Sequence, residues 1–134
     1  MDIIAVQTAF AFEASAAYVG HPVTPDEVSA ITWEMIERGR TITGTAHTRD
    51  VDSLRLFGRE VAASLTPYDV FVTATMPQPP RPLGYWDMSK PGLDAYDASM
   101  GADGVYMSPF NISGQPAMSL PLHLFTVTCR HTRP

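Results

Sequence analysis

Apolar positions along the chain recur at helical spacing in its first half. From Asp2 to Tyr18 the sequence reads DIIAVQTAFAFEASAAY. Ile4, Thr8, Phe12 and Ala16 fall at steps of four, with Ile3, Phe10 and Ala14 nearby and almost no charge. That pattern predicts a helix buried on most faces. Gly20 and Pro22 end it. Thr24-Pro25-Asp26-Glu27 then supplies an N-cap hydroxyl, Pro at the first helical position and Glu three residues after the cap. This is a capping box with acid at the positive end of the helix dipole. Val28, Ile31, Met35 and Ile36 form the stripe of the second helix; Trp33 lies off it and Gly39 weakens its end. In the third segment, Thr48 to Leu65, the apolar positions are Val51, Leu54, Phe57, Val61 and Leu65. Asp50 and Asp52 stand near its start, Arg55 and Arg59 on its wet side, and Thr66-Pro67 stops it.

The pattern changes at Val70-Phe71-Val72. A short β-branched and aromatic run after a helix and before a Pro-rich loop reads as a buried parallel strand. Helix followed by strand predicts an α/β architecture. From Met76 to Met107 the chain reads as one long loop, rich in Pro and Gly. Irregular segments of that length in a compact domain line a site or are disordered. Tyr85, Trp86, Tyr96 and Tyr106 argue against disorder. Ala117-Met118-Ser119-Leu120 reads as a second strand.

Composition narrows the picture. A length of 134 residues suits one domain. Only 17% of residues are charged, below the usual quarter, which points to a chain covered on more than one side or a piece of something larger. The net charge of −5 and dispersed arginines argue against a nucleic-acid partner. A single cysteine, Cys129, excludes an internal disulfide framework. No apolar run reaches the roughly 18 residues of a membrane span. The N-terminus has no basic n-region, so no membrane partner and a cytoplasmic location are expected.

Residue chemistry gives no catalytic constellation. His21, His47, His123 and His131 are scattered, none at metal-ligand spacing with a second ligand. Ser119 lacks the flanking glycines of a nucleophile elbow. Asp94 and Asp97 read as solvated, and Gly101 to Gly104 is no phosphate loop. Neither metal nor cofactor is expected.

Two blocks resemble the amidase signature family. PYDVFVTATMPQPPRPLG, Pro67 to Gly84, is similar to the family's apolar strand, Pro-Thr pair and Pro-rich loop, with Ala74 in place of the Pro. SPFNISGQPAMSLPLH, Ser108 to His123, is similar to its Phe-Asn-x-x-Gly-x-Pro-Ala-x-x-x-Pro block, through Phe110, Asn111, Gly114, Pro116, Ala117 and Pro121. The resemblance implies part of an α/β/α fold, with helices flanking a mixed sheet. It also implies a parent enzyme that cleaves a carboxamide C–N bond with a Ser-Ser-Lys mechanism, without metal or cofactor. The family's Gly- and Ser-rich nucleophile region has no counterpart here, and the single lysine, Lys90, lies in a loop. No catalytic residue is carried over.

On this reading residues 1–123 are the C-terminal portion of an amidase domain, and residues 124–134 an aberrant tail. One shifted reading of the codons open to Thr128 through Pro134 yields Pro-Ala-Gly-Ile-His-Val, close to the family's continuation, so a frameshifted terminus is expected. Asn111, Gly114 and Pro116 are assigned to a structural turn and strand boundary. Met76, Trp86, Tyr106 and Phe110 are the candidates for lining a pocket for a small-molecule amide. The expected partner is a complementing N-terminal amidase half. The alternatives are a non-catalytic binding or assembly module and an inactive remnant.

Overall fold

The computed structural model describes residues 2–121. His123, Cys129, His131 and the 124–134 tail therefore lie outside the described residues. Helix α1 spans Asp2–Val19, α2 Ala30–Thr41, α3 Gly44–Leu65, α4 Leu93–Asp103 and α5 Ser108–Ser113. The capping box at Thr24 forms, with the Thr24 N–H donating to Glu27 Oε2 at 2.8 Å. It opens only a single 3₁₀ turn, Pro25–Glu27. Val28 and Ser29 are extended, and Ser29 then caps α2 by accepting from the Thr32 N–H at 3.3 Å.

The centre of the molecule is the α1–α2 contact. Ala5 and Ala9 are buried against Gly39, where a methyl group would meet the Ala5 carbonyl carbon at 2.6 Å. Small side chains on one helix and glycine on the other let the two backbones approach closely. Ile31, Ile36 and Leu93 complete the buried apolar set. Arg38 ties three parts together, donating to Asp2 at the start of α1 and to Asp94 at the start of α4.

The α/β expectation is not met: the described residues form helices and no strand. Val70-Phe71-Val72 and Ala117 to Leu120 are irregular, and no backbone hydrogen bond joins either to another segment among the described residues. Their side chains are largely exposed. A β-branched run becomes a strand only when a neighbour at about 4.8 Å takes its N–H and C=O groups. Two further corrections follow. The expected loop from Met76 to Met107 contains α4. Asn111 is not in a turn but within α5, its N–H donating to Met107 O at 3.1 Å. Gly114 ends that helix in the left-handed region at φ 70°, which glycine adopts without a Cβ penalty.

Candidate functional site

The Pro-rich segment is held to α4 through one buried carboxylate. Asp103 is 2% exposed. Arg81 grips it with two bonds, Nε to Oδ2 at 3.0 Å and Nη2 to Oδ1 at 3.1 Å, and Gln78 donates to Oδ1 as well. The bonds from Arg81, with a smaller contribution from Gln78, hold the Asp103 carboxyl below the usual carboxylate range despite its burial. The Arg81 guanidinium also lies 4.5 Å from the centre of the Tyr85 ring, and Trp86 meets Tyr85 edge-on at 5.8 Å. The loop before α4 is therefore fastened at both ends. At the far end Glu34 of α2 accepts from the Gly92 N–H at 3.1 Å and the Leu93 N–H at 2.7 Å.

The two sequence blocks meet in space. Phe71 of the first packs on Phe110 of the second, with ring centres 5.4 Å apart and tilted by 44°. Thr75 and Ser119 bring their hydroxyls to 3.4 Å. Trp86 is half-buried and its indole N–H is enclosed without a hydrogen-bond partner among the described residues. Met76 and Tyr106 are partly exposed, one following the extended segment and the other between α4 and α5. Among Met76, Trp86, Tyr106 and Phe110, only Phe110 has a resolved aromatic partner in the other block.

The surface clefts of the described residues include two that contain none of those four. The larger is an open groove of about 630 Å³ between α1, α3 and α5, with Ile3, Val51, Leu54, Ala62 and Ile112 among its walls. Arg55 and Arg59 also line it. The smaller lies between α2 and the start of α4, beside Glu34, Arg38 and Asp94.

The Thr75 and Ser119 hydroxyls bond each other, and no basic group bonds either one among the described residues. Lys90 is mostly exposed and sits 3.4 Å from Asp87. No three His, Cys, Asp or Glu side chains gather to hold a metal ion among the described residues. No described helix is long and apolar enough to cross a membrane. The Gln78–Arg81–Asp103 cluster was not expected from the sequence. Its one signal was charge: an arginine inside a proline run and an aspartate closing an Ala-rich segment.

The chain is homologous over most of its length to proteins named as hydrolases. It is 30% identical over 128 residues, 91% of this chain, to the 6-aminohexanoate-cyclic-dimer hydrolase of Pseudomonas sp. strain NK87. It is 30% identical over 116 residues to the enzyme of the same name from Paenarthrobacter ureafaciens. The chain spans about a quarter of these relatives, 26% and 24% of their lengths. No family model and no solved structure matches it.

Proposed function

We propose that this chain is the non-catalytic portion of an amidase-type hydrolase, a wall and support for the acyl or amine side of a carboxamide pocket. The observation that carries this reading is the 30% identity, over nearly the whole chain, to two hydrolases named for a cyclic amide dimer. The resemblance of Pro67–Gly84 and Ser108–His123 to the amidase signature family agrees with it, and so does the contact of those blocks through Phe71 and Phe110. The substrate class is a small, uncharged amide. Met76, Trp86, Tyr106 and Phe110 form its apolar wall in this reading. The nucleophile and its base come from sequence matching the other three quarters of the relatives, because an activated serine needs its base within hydrogen-bond reach.

The test is a hydrolysis assay. The purified chain, given the cyclic dimer of 6-aminohexanoate, is expected to release no new primary amine. A chimaera in which residues 2–121 replace the matching segment of the Pseudomonas relative is expected to release it. Turnover by this chain alone, abolished by a substitution within it, would overturn the reading.

A further inference from the structure

The outer face of α1 has the wrong chemistry for water. Ile4, Gln7, Ala11, Ala14 and Tyr18 lie along one side of the helix, with Phe10 and Ala17 beside them, and none carries a charge. Ile4 is 51% exposed, Phe10 71% and Tyr18 93%. An apolar helix face is ordinarily a buried one, and the charged side chains of α1, Asp2 and Glu13, are paired with Arg38 and Arg40 of α2. Here α2 covers one side through Ala5 and Ala9. The bare side runs through Gln7 and Ile3 into the groove against α3 and α5, so face and groove make one continuous surface. Contiguous apolar surface of this kind marks an interface.

We infer that this face of α1 and its adjoining groove are the seat of the polypeptide that matches the remaining three quarters of the relatives. The inference rests on the hydrolase reading above, and the length comparison supplies the occupant: the relatives carry about four times the matched length. A catalytic portion of that size needs a docking surface on this one, and the uncharged face of α1 offers exposed apolar side chains from Ile4 to Tyr18 for it. Obligate interfaces are more apolar than transient ones and resemble a core cut in half, as this face does.

The test is thiol footprinting read residue by residue by mass spectrometry. Ala14→Cys is placed in the full chain with Cys129→Ser, and in the chimaera with the Pseudomonas relative; Leu83→Cys on the Pro-rich loop is the exposed control. Ala14→Cys is expected to label rapidly in the isolated chain and at least tenfold more slowly in the chimaera, with Leu83→Cys fast in both. Equal labelling at Ala14→Cys in both would overturn the docking surface. Protection already present in the isolated chain, rising with its concentration, would assign the face to a second copy instead. Protection without hydrolysis would keep the docking surface and defeat the hydrolase reading; hydrolysis without protection would do the reverse. Should the chimaera not fold, a cysteine at the residue aligned with Ala14 in the intact Pseudomonas relative gives the same decision: slow labelling supports the inference and fast labelling overturns it.

Discussion

At the scale of single residues, two positions decide whether the chain holds its shape. Gly39 faces the α1 backbone, and an added Cβ would come within 2.9 Å of the Ala9 Cβ and closer still to the Ala5 carbonyl. Backbone cannot swing aside as a side chain can, so Gly39→Ala must push the helices apart. It is expected to cost about 2–3 kcal/mol, read as a lower urea midpoint; an unchanged midpoint would mean the contact is not as tight as its geometry. Asp103 decides the loop. Its pKa is depressed in the folded state, chiefly by Arg81. A depressed carboxyl contributes stability above its ordinary value of about 3.9 and loses it as pH falls through the lowered folded value. In a Trp33→Phe background, Trp86 emission is therefore expected to hold steady from neutral pH to about 4 and to change below it. Asp103→Asn should show the acid-like spectrum already at pH 7. Its residual acid response should be smaller, coming from Asp87, whose carboxyl is also lowered by bonds from Ser89. An unaltered titration in Asp103→Asn would separate Trp86 from the cluster.

At the scale of elements, the helices that carry their own signals were readable and those that borrow from elsewhere were not. The apolar period over Asp2 to Tyr18 predicted α1 to within a residue, and that over Thr48 to Leu65 predicted the end of α3 but not its first turn from Gly44. The capping box at Thr24 was real, but Ser29 supplies a second cap that restarts the helix, a signal available in Ser29-x-x-Thr32. Helix α4 was missed because its N-cap is Gly92, which has no side chain to act as one. Glu34, from another helix and 58 residues earlier, satisfies those N–H groups. No local reading finds a cap that arrives through tertiary structure. Likewise Val70 to Val72 had the composition of a strand without a partner to pair with. Of the candidate site, neither the meeting of the two blocks through Phe71 and Phe110 nor the Arg81–Asp103 clamp, which joins residues 22 apart, was expected from the sequence. If Glu34 is the cap of α4, Glu34→Ala should cost about 1 kcal/mol. Amide exchange should quicken at Leu93 through Tyr96 while α1 stays protected; uniform quickening would make Glu34 a general packing residue instead.

At the scale of the whole molecule, the balance of buried and exposed surface governs behaviour. Among the described residues only a handful in α1, α2 and α4 are buried, while Phe71, Leu56, Met118 and Leu120 remain open to solvent alongside the face of α1. The denaturant dependence of unfolding scales with the surface newly exposed. A chain that already exposes so much has little left to reveal. Its urea m-value is expected near or below about 1 kcal/mol/M, the low end for small proteins, when followed by far-UV circular dichroism. The chimaera, in which the face of α1 is covered, should lose its helical signal with a steeper dependence. An m-value near 3 kcal/mol/M for the isolated chain, at the upper end of that range, would mean that it buries far more apolar surface than its helices account for. The face of α1 would then be closed within the chain itself, and the case for an external occupant would fall with it.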